Sequence, residues 1–176
     1  EQYTSDDLAL AIGGRNRAKL EAVRHEVTGQ SEVWDDLPIV LGDATDPESL
    51  GDLAANTQVV CTTVGPYTKY GTPLVDACVE HGTDYCDLTG EANWVRETVD
   101  EYHDAAVDAE ARVVHSCGYD SIPADLGTLL AQTFAVEEFD SSCHEVRVYV
   151  ERASGGVSGG TLASAAELFA AALGFP

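Results

Sequence analysis

Short apolar runs recur along this chain, and a segment with helical spacing separates each run from the next. The runs fall at 8–12, 39–41, 59–64, 85–88 and 113–115, with a sixth at 145–150. Helical periodicity predicts helices over 18–27, 47–55, 73–81, 93–111 and 123–134. Strands this short and this apolar are expected to be covered on both faces. Strict alternation with helices then implies an α/β fold with a doubly wound parallel sheet. That pattern holds to about residue 118. Beyond it come a helix, a long strand, a glycine-rich loop and the start of another helix. Residues 1–118 are therefore read as one domain and 119–176 as the beginning of a second α/β domain.

Local signals agree with these elements. Asp46 before Pro47, and Thr72 before Pro73, each place a capping side chain ahead of a proline at the first helical position. Gly82 after His81 is a C-terminal stop. Leu74, Val75, Cys78 and Val79 fall on one face of the third helix, as packing against a sheet requires. The five cysteines form no CxxC pair and are read as reduced, mostly buried thiols. Cys78 and His81 have a nominal metal spacing and Cys86 follows, but His81 sits at a helix end and no fourth ligand recurs nearby, so no metal is expected.

Charge narrows the function. Nine Lys and Arg stand against 31 Asp and Glu, a net charge of −22. Phosphate neutralisation needs basic surface, so a nucleic-acid partner is excluded and a small-molecule substrate is expected. Acid spread along every segment resembles a protein of a salt-loving, haloarchaeal-type organism, where ionic strength screens the self-repulsion; an acidic mesophile protein is the alternative. No apolar stretch is long enough to span a membrane, and the Ala-rich end from Thr161 is broken by Glu167. With no signal-peptide pattern, a cytoplasmic protein is expected. The chain has no Met and stops as a helical pattern develops, so it is expected to be part of a longer polypeptide.

Against this acidity, "IGGRNRAK" gathers a third of the positive charge at Arg15, Arg17 and Lys19, directly after an apolar run. In dinucleotide-binding folds an acid at such a strand end selects NAD, whereas an Arg accommodates the 2′-phosphate of NADP. Arg15 is the guanidinium for that task, Lys19 adds a point charge one turn on, and Asn16 caps the helix. The alternative is that these cations only offset Glu21 and Asp43. In "VLGDATDPESL", Asp43 and Ala44 follow a strand and are placed at the adenine edge, unless Asp43 is simply a loop acid. In "VVCTTVGPYTKYG", an apolar strand opens into Val64, Gly65 and Pro66, a rigid turn that lets backbone approach a cofactor. Tyr67, Lys69 and Tyr70 follow. Tyr67 either donates a proton to substrate or only packs the turn.

Three separated stretches, "GPYTKYGTPLVDACVEHGTDYCDLTGE", "CGYDSIPADLG" and "SGGT", resemble the saccharopine dehydrogenase-like oxidoreductases, a group that includes trans-acting enoyl reductases of lipid synthesis. The resemblance covers nearly all of 8–165. It implies a Rossmann domain using NADP, or NAD, followed by a domain that closes over the substrate. Arg15, the Asp43 region and the turn from Val64 to Tyr67 would border the cofactor, and the segment from Cys117 to Asp125 would lead across the interdomain cleft. A family member opens with a strand and a glycine-rich GxxGxxG turn that holds the pyrophosphate; nothing upstream of Leu8 matches it. The loop "SGGVSGGT" at 154–161 either contacts an anion or is a plain linker.

The expected function is hydride transfer between nicotinamide and a C=N or C=C substrate, with Tyr67 and Asp120 as catalytic candidates and a homodimer as the assembly. Asp87 and Glu91 either assist proton transfer or cap the helix near Asn93. Asp120, with Tyr119, contacts substrate unless it only initiates a helix. The rival class is a non-catalytic dinucleotide sensor or scaffold. A short-chain-type reductase would want a Tyr-x-x-x-Lys pair, which the sequence lacks.

Overall fold

A computed structural model describes residues 8–29 and 37–152. Strands and helices alternate as β1 (Ile12–Gly14), α1 (Arg17–Thr28), β2 (Ile39–Leu41), α2 (Pro47–Ala55), β3 (Val59–Thr62), α3 (Tyr67–Tyr70), α4 (Thr72–Glu80), β4 (Asp84–Asp87), α5 (Ala92–Asp108), β5 (Val113–Val114) and α6 (Ile122–Phe139). Every strand pairing is parallel, with Ile12 opposite Ile39, Val60 opposite Tyr85, and Tyr85 opposite Val113. The fold is α/β and Rossmann-like. Its strands form two sheets, β1–β2 and β3–β4–β5. Among the described residues, β1 and β3 therefore each keep one unpaired edge.

Strand boundaries depart from the sequence pattern where partners run out. The apolar run at 8–12 contributes only Ile12 to β1, which continues into Gly13 and Gly14. The β2 ladder offers partners only from Ile39 to Leu41, so residues 8–11 have nothing to pair with and stay exposed. The strand expected at 145–150 does not form. Val148, Tyr149 and Val150 stand exposed, and no described strand lies beside them to satisfy their backbone groups. The helix expected at 123–134 runs on to Phe139, where Asp140 ends it in the left-handed region. The "SGGVSGGT" loop and the Ala-rich end lie outside the described residues.

Caps follow the sequence at one proline and not at the other. The Asp46 carboxylate accepts from the Glu48 amide at 3.2 Å ahead of Pro47, as its position predicts. Thr72 instead is the first residue of α4, and its hydroxyl accepts from the Trp94 indole at 2.9 Å. Because the helix starts at Thr72 itself, the N-cap position falls to Gly71, which has no side chain to offer. Gly82 takes φ +66°, the left-handed stop expected after α4.

The core sits where α2, α4 and α5 pack side by side over the second sheet. Leu74, Val75, Cys78 and Val79 all bury on one face of α4, as their spacing requires. On α5, Trp94, Thr98 and Ala106 are buried with Tyr102 half-buried between them, a single stripe at i, i+4, i+8 and i+12. The five cysteines are all free, but only Cys78 is fully buried. Cys61 is exposed because β3 alternates, with Val60 and Thr62 turned inward and Val59 and Cys61 outward.

Candidate functional site

The carboxyl ends of β1, β2 and β3 converge on one cavity of about 600 Å³. Gly13, Gly14 and Arg15 line it at the end of β1, Gly42 and Asp43 after β2, and residues 59–65 along and after β3, and it extends back to Ala9, Pro38 and Thr57 at the amino ends. Leu50, Leu53 and Leu74 supply an apolar wall. Ligands of open α/β sheets bind at the carboxyl ends, where the strand order switches. Here β1 and β3, which both line the cavity, belong to separate sheets among the described residues.

The residues singled out by sequence are brought together in part. Arg15, Asp43, Ala44, Val64 and Gly65 all line the cavity. The Asp43 carboxylate accepts from the Thr45 amide at 2.9 Å and the Thr45 hydroxyl at 2.8 Å. Those bonds hold its carboxyl below the usual range, and the nearby Arg15 charge adds to the effect. Asn16 is the N-cap of α1, accepting from the Lys19 amide at 3.0 Å, and Lys19 is exposed. Pro66 and Tyr67 are buried behind the turn rather than among the lining residues. The Tyr67 hydroxyl donates to the Thr62 carbonyl at 3.2 Å, and burial pushes it up to about 12. Tyr119 and Asp120 are exposed in the bend before α6, whose N-cap is Ser121.

Chemically, a guanidinium can bind phosphate, a carboxylate can accept hydroxyl or amine hydrogens, and glycine lets backbone approach a flat ring system closely. Among the described residues no group of three or more His, Cys, Asp and Glu could hold a metal ion.

Of the two roles the sequence offered Asp87 and Glu91, proton transfer or capping the helix near Asn93, the cap does not form. Asp87 is buried, and its carboxylate collects four hydrogen bonds. Oδ2 accepts from the Tyr85 hydroxyl at 3.0 Å and lies 2.7 Å from His115 Nδ1. Oδ1 accepts from the Thr89 amide at 3.1 Å and the Ser116 amide at 2.9 Å. Burial opposes the charge, but the His115 contact and the two amides outweigh it, so the carboxyl sits below the usual range. Ser116 takes φ +61°, a left-handed state unusual for serine. The Asp87 bond and its own hydroxyl, which donates to the Thr89 carbonyl at 2.8 Å, hold it there. Glu91 does not cap α5, which has no side-chain cap. Its two oxygens instead accept from the amides of Tyr67, at 2.9 Å, and Thr68, at 2.8 Å, across the turn after β3. One sequence signal was available: two acids and a threonine in "DLTGE", directly at a strand's carboxyl end.

Parallel α/β strands whose carboxyl ends border one cavity are the architecture of dinucleotide-binding domains. The chain belongs to the saccharopine dehydrogenase NADP binding domain family, whose sequence profile matches residues 3–114, and NADP is the cofactor of that domain. A Mycobacterium tuberculosis chain named among the trans-acting enoyl reductases is 43% identical over 170 residues, covering 97% of this chain and 40% of its own length. The trans-acting enoyl reductase of Mycobacterium ulcerans is 42% identical over 159 residues, 90% of this chain and 37% of that one. The chain thus spans about 40% of the length of the curated relatives it matches. Among solved structures, apo saccharopine dehydrogenase (L-Glu forming) of Saccharomyces cerevisiae superposes with a TM-score of 0.56 at 22% identity, over 75% of this chain and 26% of that one. That likeness confirms the fold. Among the described residues, no helix is long and apolar enough to cross a membrane.

Proposed function

We propose that this chain forms the cofactor-binding part of an NADP-dependent reductase acting on a conjugated C=C bond of an enoyl substrate. The observation that carries the reading is the convergence of Arg15, Asp43 and the turn at Gly65 on one cavity at the strand ends. Bound NADP supplies or accepts the hydride. Arg15 holds the 2′-phosphate, Asp43 and Ala44 border the adenosine, and Val64 and Gly65 present backbone to the nicotinamide end. The names of the mycobacterial relatives favour C=C over C=N. The substrate domain begins near Gly118, and Asp120 stands at the start of the segment that leads to it.

The body of the cavity has room for more than a cofactor edge. β1 borders it on one side and β3 on the other, and each keeps an unpaired edge among the described residues that a further parallel strand would fill. We place there a further parallel strand whose glycine-rich turn holds the pyrophosphate, with the dinucleotide at the cavity's mouth.

Two measurements test the reading. NADPH fluorescence titrations should show tight binding to the full-length protein and weak binding to residues 1–176 alone; tight stoichiometric binding by the shorter chain would remove the strand from the argument. NADPH oxidation with a short enoyl thioester should be catalysed by the full-length protein. Tyr67→Phe should leave that rate within a few-fold, because its hydroxyl is committed to Thr62, whereas Asp120→Asn should lower it. If NADPH binds and no enoyl, imine or ketone probe turns over, the protein is a dinucleotide sensor.

A further inference from the structure

Burying a carboxylate is costly unless hydrogen bonds to its charged form offset the lost hydration. Glu91 is 2% exposed, and the helix it precedes gains no side-chain cap from it. Its two oxygens accept from the first two amides of α3, 24 and 23 residues away in sequence. The residue at the N-cap of α3 is Pro66, which has no side-chain oxygen to offer them. A carboxylate reaching over from the loop after β4 does that work and fixes the path of the chain directly after Gly65, a lining residue of the cavity. The adenosine end is assembled separately: Asp43 is held by Thr45 and Ser49, within its own loop and α2.

We infer that Glu91 is a positioning residue for one end of the cofactor site, its carboxylate holding the turn at 65–68 in the shape that receives the nicotinamide. The inference rests on the reading of the cavity as an NADP site. Glutamine in the same place keeps one oxygen and turns an NH2 toward the second amide, so one buried N–H loses its acceptor. Aspartate keeps the charge but is one methylene too short to meet both amides. In either case the turn relaxes to satisfy its backbone. A turn in its binding shape only a tenth of the time lowers apparent affinity about tenfold.

The test uses the full-length protein, Glu91→Gln and Glu91→Asp, with two probes: NADPH, and adenosine 2′,5′-bisphosphate, which has the adenosine end and no nicotinamide. Both variants should bind NADPH about tenfold more weakly and the bisphosphate within about twofold of the parent. Hydrogen exchange should quicken in a peptide spanning 65–71 and not in one spanning α2. Equal losses for both probes, or no loss for either, would overturn the inference. Global unfolding of both variants would also overturn it, because the carboxylate would then be a fold determinant and no device of the turn. If the parent itself binds neither probe, the NADP reading of the site falls first and takes this inference with it; parent binding with the wrong variant pattern sinks only the role of Glu91.

Discussion

Replacing Asp87 by asparagine isolates what the buried charge contributes, because shape and volume stay nearly constant. The two backbone amides both bond Oδ1, while Tyr85 and His115 both meet Oδ2. In D87N the side-chain oxygen serves the amides and the NH2 faces Tyr85 and His115. The tyrosine hydroxyl rotates to accept. His115 must present Nδ1 as an acceptor and carry its proton on Nε2, a buried atom without a partner. A hydrogen bond to a charge is worth about 1 kcal/mol more than a neutral one, so four give about 4 kcal/mol. No longer burying a charge returns about 2 kcal/mol. The net loss is about 2 kcal/mol, which converts to about a thirtyfold drop in protection against local opening. Hydrogen-exchange mass spectrometry of the full-length protein reads this in peptides spanning 84–92 and 113–121. The pH dependence supplies a second reading. The folded carboxyl lies below its ordinary value, so its stabilisation is complete above about pH 4 and fades as pH falls through the lower folded value. The asparagine does not titrate, so the gap in thermal midpoint between parent and variant should narrow in acid. Protection within about threefold of the parent at neutral pH, or a gap unchanged down to about pH 3, would refute the reasoning.

Arg15→Ala should weaken NADPH about tenfold to a hundredfold and leave NADH nearly unchanged in parallel fluorescence titrations, since only the 2′-phosphate distinguishes them. Gly71→Ala should cost about 2 kcal/mol by urea titration, because a Cβ there would lie 2.5 Å from Trp94 Cζ2 and 2.8 Å from the Tyr67 carbonyl oxygen. The net charge of −22 should make the thermal midpoint rise by several degrees as NaCl is raised from about 0.05 to about 1 M. Most of that rise should come below about 0.3 M, as screening rather than salting-out requires.

The order of strands and helices was legible because burial on a sheet imposes its own period on the sequence. Leu74, Val75, Cys78 and Val79 announced the buried face of α4, and Asp46–Pro47 announced its neighbour α2. Extents were less legible, because a strand ends where its partner does and the partner is not a local property. Residues 8–11 and 145–150 have strand composition and no ladder. Composition likewise misplaced Cys61, since an apolar run does not say which of two alternating faces meets the core. At the site, Arg15, Asp43 and Gly65 could be found one at a time because strand ends are recognisable, and their meeting follows from parallel topology.

The loop at 87–91 was illegible for a different reason, and that reason carries the larger argument. An acid beside a helix start reads as a cap, since the nearest unsatisfied amides are the helix's own. Yet the carboxyl ends of β3, β4 and β5 lie side by side in a parallel ladder, with Thr62 opposite Asp87 and Val114 opposite Cys86. A buried carboxylate at the middle strand can therefore reach either flanking loop. Asp87 reaches the one after β5 through Ser116 and His115, and Glu91 the one after β3 through Tyr67 and Thr68. The middle loop thus ties the turn beside the cavity to the segment that leads toward Asp120. Two carboxylates four residues apart, each aimed at a different neighbour, hold those flanking loops at fixed spacing. Coupled loops should loosen together: D87N should also quicken exchange in the peptide at 65–71, more weakly than in 113–121. Loosening confined to 113–121 would mean that the two carboxylates act separately and that the loop is two local braces.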